Sequence, residues 1–300
     1  MKNTNKNNNT FENQLFSITT IIDASYTKDG RIFKSQGSGF YYTQMTPADS
    51  NKQGLQWHKV EKHWLVTNRH VVLAKIDDTE CVPDEFTFCI RENIDGKIEW
   101  KRITLDKKQL LASLKLHKQS DIDVAVIDVS TQMSEIIHPI ADGSSEQKIY
   151  LPTSLSNLNL PENQPMTIDV TSDIIVASYP NGFYDTTNKF PIVKSGIIAS
   201  AWGANFRGEP MFQIDAQLFP GSSGGLVISK PTNILMIDGS PHYSSRKEFV
   251  LLGVYSGEFR WYEEIDIGGK KIQMGNSYGL GNVWYSYLIL QIIDDGISYE

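Results

Sequence analysis

The chain has 300 residues, long enough to bury a core of its own, and 40% hydrophobic with 21% charged residues is ordinary for a globular protein. The net charge of -7 comes without long Lys/Arg runs. That excludes the usual nucleic-acid footprint and the basic amphipathic face of a membrane-surface binder.

Residues 1–14 read as a disordered tail. The first ten are mostly Lys and Asn, with no apolar core or small-residue cleavage site behind the positive start. A cytoplasmic protein is therefore expected. A strand is predicted over 15–24, rich in Ile and Thr, and a second over 31–42 carrying Gly37-Ser38-Gly39-Phe40. Strands follow over 57–67, 86–91 and 97–105, the last two flanking the hairpin pair Asp95-Gly96. Asp106 caps a short helix through Leu110, Leu111 and Leu114. The run 123–129 is a compact apolar strand.

Residues 146–165 are polar, with Pro152 and Pro161, and form the expected linker between a first barrel (15–145) and a second unit (166–300). Strand signals resume over 166–178, 192–201, 210–215, 225–228 and 249–255, and a last helix is expected over 282–294. The apolar run 283–293 is too short to span a bilayer. Cys81 and Cys89 read as free thiols of a reducing compartment. No His/Cys cluster has metal-ligand spacing and no phosphate-cradling glycine loop is present, so no cofactor is expected. Short strands with turns between them mean an all-β barrel or sandwich.

Acyl transfer requires a nucleophile, a base and oxyanion donors. Ser223 lies in Pro220-Gly221-Ser222-Ser223-Gly224-Gly225, where glycines allow a tight turn aiming the Gly221 and Ser223 amides at one point. His70 ends the apolar strand Trp64-Leu65-Val66-Thr67, a setting suited to a general base. Asp121, Asp123 and Asp128 surround the Val124-Ala125-Val126-Ile127 strand. Asp123 directly precedes it and is favoured to orient the imidazole, with Asp121 next. The order His, Asp, Ser is that of chymotrypsin-type enzymes rather than subtilisins or α/β-hydrolases.

On these three segments the chain resembles the trypsin-like serine proteases, closest to their HtrA-like bacterial branch. Gly37-Ser38-Gly39-Phe40, Val193-Lys194-Ser195-Gly196-Ile197-Ile198 and Asp215 are weaker matches. The resemblance implies two perpendicular six-stranded β-barrels with a C-terminal helix. His70 and Asp123 would come from the first, Ser223 from the second, with Gly221 and Ser223 as oxyanion hole. It places Gln217, Tyr255 and Ser256 at the specificity pocket. The function implied is a serine endopeptidase acting on polypeptides through an acyl-enzyme. A catalytically silent binding module and an esterase are the alternatives.

Departures carry further expectations. Ser222 replaces the Asp with which trypsin-like zymogens capture a new N-terminus, so that activation route is not expected. Leu226 replaces a common Pro, a minor change. No PDZ module is expected after the second barrel. Gln217 is uncharged, which argues against a demand for Lys or Arg. An incomplete oxyanion turn over 219–222, ordered by a protein or peptide partner, would then be one means of control.

Overall fold

The computed structural model describes residues 11–46, 49–50, 56–94, 97–141, 149–150, 154–181, 183–267 and 270–299. The predicted Met1 to Thr10 tail, the Asp95-Gly96 turn and Pro152 lie outside them.

The first half is a mostly antiparallel sheet of nine strands among the described residues. Its hydrogen-bonded order is Leu114–Leu116, Ala125–Asp128, Val60–Thr67, Arg31–Met45, Thr19–Lys28, Glu85–Ile94, Ile149–Tyr150. Lys97–Asp106 adds to Glu85–Ile94, and Leu155–Ser156 adds in parallel to Arg31–Met45. Both short strands of the expected linker are thus woven into the first sheet.

The second half is a closed six-stranded barrel: Asp173–Ser178, Ile192–Ile198, Met211–Asp215, Lys270–Tyr285, Leu251–Ile267 and Leu226–Ser229, the last pairing back on the first. The all-β expectation therefore holds. The six-stranded count describes the second unit, whereas the first carries nine strands.

Three local differences have physical reasons. Residues 11–18, expected as tail and strand, form the helix Phe11–Ile18. Phe11, Leu15 and Ile18 share one helical face, which packs into the core, and the β-branched run from Thr19 starts the strand. Ser130–Ala141 is a helix the sequence reading did not anticipate. The final helix begins at Tyr287, not 282, because residues up to Tyr285 pair in the barrel.

One buried cluster joins the halves. It combines Trp64, Val66 and Val126 of the sheet, Ile175, Ala177 and Leu226 of the barrel, and Leu288, Ile289 and Ile292 of the last helix. That helix crosses back onto the first sheet. The Lys115 ammonium donates to the Ile293 carbonyl, and Leu116 bridges with Ile297.

Candidate active site

Register places the base and the acid together. Ala125 lies opposite Thr67, so the two residues ahead of Ala125 run beside the segment just past Thr67. There a single helical turn, Arg69–Val72, is anchored by buried Val71 and Val72 and leaves His70 at the surface. Asp123 is held between buried Ile122 and Val124. Its Oδ1 accepts the His70 backbone N–H at 2.9 Å, and its Oδ2 meets His70 Nδ1 at 2.7 Å. A carboxylate only accepts, so Nδ1 carries the proton and Nε2 is the free base of the neutral ring.

Burial disfavours the imidazolium, but the Asp123 hydrogen bond and charge together outweigh it and hold the His70 pKa above its ordinary value. The rival acids are engaged elsewhere. Asp121 is exposed and accepts from Ser120, while Asp128 pairs with Lys62 at 2.7 Å.

The nucleophile turn rests on two left-handed glycines, Gly221 at φ +89° and Gly224 at φ +81°. In a trans peptide the carbonyl and N–H point oppositely. Asn181 N–H holds the Pro220 carbonyl at 2.7 Å, and Gly225 N–H holds the Ser222 carbonyl at 2.9 Å. The amides of those same two peptides, Gly221 N–H and Ser223 N–H, are therefore turned the other way. Neither donates to any group among the described residues. Two free, pinned donors on alternate peptides of one turn are what an oxyanion needs. Ser222, where zymogens carry Asp, is fully buried and accepts from the Ser178 hydroxyl at 3.1 Å.

The first sheet grips this turn directly. Ser38 N–H donates to the Ser223 carbonyl and Ser38 Oγ to the Gly221 carbonyl, each at 2.8 Å. Asn68, fully buried, donates Nδ2–H to the Asp123 carbonyl at 2.6 Å and accepts the Gly224 N–H at 2.5 Å. Sequence reasoning missed this bridge. Its only signal was a polar residue in the Thr67-Asn68-Arg69-His70 run.

Ser256 reaches both Asp123 and Ser223. Its Oγ donates to Asp123 Oδ2 at 2.6 Å, and its carbonyl accepts the Ser223 hydroxyl at 2.8 Å. No hydrogen bond joins Ser223 to His70 among the described residues; the hydroxyl rests on Ser256 instead.

Tyr255 and Gln217 are the other two residues expected at the specificity pocket. The Tyr255 side chain is buried in the barrel core. Its backbone pairs with Gly224 and Gly225. Gln217 is exposed, and its carbonyl accepts from the Lys194 ammonium.

Among the described residues no group of three or more His, Cys, Asp or Glu could hold a metal ion, and no helix is long and apolar enough to cross a membrane. Cys81 and Cys89 are free thiols.

The trypsin-like peptidase domain model matches residues 37–235, two thirds of the chain, with His70, Asp123 and Ser223 inside the match. The chain belongs to the trypsin-like peptidase domain family. Two proteases are among its structural neighbours. Protease Anisep from Arthrobacter nicotinovorans is 12% identical, with 92% of this chain and 94% of that one covered at a TM-score of 0.45. A thermostable serine protease, AL20, from an extremophilic microorganism is 10% identical, with 93% and 96% covered at a TM-score of 0.42. No curated protein sequence matches. Membership in the family makes the chain a peptidase of the hydrolase class.

Proposed function

We propose that this peptidase is a serine endopeptidase with Ser223 as nucleophile, His70 as general base and then acid, and Asp123 as the group that orients His70. One observation carries the reading. Asp123 Oδ2 receives both His70 Nδ1–H and the Ser256 hydroxyl, while the Ser256 carbonyl holds the Ser223 hydroxyl. Ser256 thus links the proposed nucleophile to the acid that holds the proposed base.

In the proposed reaction Ser223 Oγ rotates from Ser256 towards His70 Nε2, which takes its proton as Oγ attacks the scissile carbonyl. The Gly221 and Ser223 amides receive the negative oxygen. His70 then returns the proton to the leaving amine, leaving an acyl group on Ser223. Water repeats the sequence and releases the acid. A polypeptide substrate is the partner this requires.

A fluorophosphonate probe with mass-spectrometric mapping tests the assignment. One label on Ser223, lost in Ser223→Ala and strongly slowed in His70→Ala, is the expected result. Labelling that persists in Ser223→Ala overturns it.

A further inference from the structure

The strands Leu251–Ile267 and Lys270–Tyr285 are far longer than the barrel uses. Leu226–Ser229 pairs with the first only as far as Val254, and Met211–Asp215 pairs with the second only from Leu280 onward. Beyond those points no further strand joins either outer edge among the described residues. Yet the two keep pairing with each other, from Arg260 opposite Ser277 to Ile267 opposite Lys270, a projection of about 25 Å.

The arm has two unlike faces, because opposed residues share a face and neighbours alternate. Phe259, Trp261, Ile265, Ile272, Met274 and Tyr278 lie on one. The rings of Phe259 and Trp261 lie 5.7 and 6.4 Å from that of Tyr278. The other face carries Arg260, Tyr262, Glu264 and Lys271, with an ion pair of 2.7 Å between the last two. Alternation of this kind belongs to a sheet with one face packed. Here Trp261 (40%), Ile272 (49%), Met274 (51%) and Tyr278 (56%) are all exposed.

We infer that this arm docks an extended, apolar-rich stretch of the polypeptide substrate, remote from the bond that is cut; the inference rests on the peptidase reading. Continuity selects that occupant. The open edge of Leu251–Ile267 begins at Ser256, whose carbonyl holds the Ser223 hydroxyl, and the apolar face begins three residues later. An unpaired edge offers backbone donors and acceptors to an added strand, whose alternate side chains then lie on the apolar face. The Arg207 guanidinium stacks on Phe259 at 4.4 Å and closes the base of that face. Glu263, opposite Met274 on the same face, has no ion pair among the described residues. One cationic side chain among the apolar ones complements it.

The test compares a short cleavable peptide with versions extended on either side by about eight residues of alternating Leu and Ser with one Lys. Fluorescence anisotropy on full-length Ser223→Ala gives Kd, and the otherwise wild-type chain gives kcat/KM. In a Trp261→Ser, Ile272→Ser, Met274→Ser triple variant, the long-to-short preference of one extended peptide falls about tenfold. Tyr262→Ser, on the opposite face, keeps the wild-type preference. An unmoved preference in the triple variant overturns the inference. So does sedimentation showing that the apolar face instead joins two copies of the chain. Arm-dependent binding without any cleavage sinks the peptidase reading and keeps the arm. Cleavage without arm dependence sinks the arm alone.

Discussion

Asn68 and Gly224 tie the base-bearing sheet to the nucleophile turn: the Asn68 side-chain oxygen accepts the Gly224 N–H at 2.5 Å, across 156 positions of sequence. The same amide donates to the carbonyl of Asp123. Asn68→Ala leaves that buried carbonyl without its donor and weakens the hold on Gly224. A buried polar group stripped of its partner costs about 1–3 kcal/mol. The expected result is a melting temperature lower by several degrees together with a lower kcat. A variant with wild-type melting and kcat would show that the bridge is idle.

The Ser256 hydroxyl supports Asp123. Ser256→Ala keeps the carbonyl that receives Ser223 but removes a donor 2.6 Å from Asp123 Oδ2. A hydrogen bond to a charged group contributes about 1.5–3 kcal/mol, so kcat/KM falls by roughly 10- to 100-fold. Steady-state kinetics on one peptide decide this, and an unchanged kcat/KM refutes it.

How much of this was legible beforehand depends on where each partner lies. His70, Asp123 and Ser223 each sit where an apolar strand meets a polar turn, and their order along the chain is informative by itself. Asn68 and Ser256 act through partners 33 to 156 positions away, and no local pattern reports such contacts. The barrel strands were visible as apolar runs. The long hairpin was not: glycines at 257, 268, 269, 275, 279 and 281 interrupt its alternation, and its apolar end at 282–285 imitates the start of a helix. Within the expected linker, a polar, proline-containing stretch donates the short strand Leu155–Ser156 to the first sheet.

The pH dependence follows from the His70–Asp123 pair. The base must be neutral, and its pKa is raised, so the acid limb of kcat/KM has its midpoint above the ordinary histidine value of about 6.5. Asp123→Asn removes the charge that raises it. The limb then moves to lower pH, and kcat falls about 10⁴-fold because the ring loses its working tautomer. Stability shows the opposite slope. The charged pair stabilises the fold fully below the unfolded-state pKa near 6.5 and fades as pH rises through the higher folded value. The melting gap between wild type and His70→Ala therefore narrows from about pH 5.5 to about pH 9. A gap that widens with pH contradicts the assignment.

Two kinds of left-handed glycine separate strain from collision. A Cβ on Gly224 would overlap the Ser38 carbonyl oxygen and Thr67 Oγ1, and it would need φ +81°. Gly203, at φ +78°, has nothing within 4 Å of its Cβ position. Gly203→Ala is expected to cost about 1–2 kcal/mol from backbone strain alone. Gly224→Ala costs clearly more and abolishes probe labelling of Ser223. Urea denaturation of both, with wild type, gives the comparison, and equal losses would contradict it.

Ser223, worked by His70 and Asp123, is proposed to cut peptide bonds. Cleavage-site profiling of a denatured proteome digest by wild type and by Ser223→Ala tests this. New peptide termini are expected with wild type and none above background with Ser223→Ala. Equal cleavage by both, or ester hydrolysis with no new termini from wild type, would contradict it.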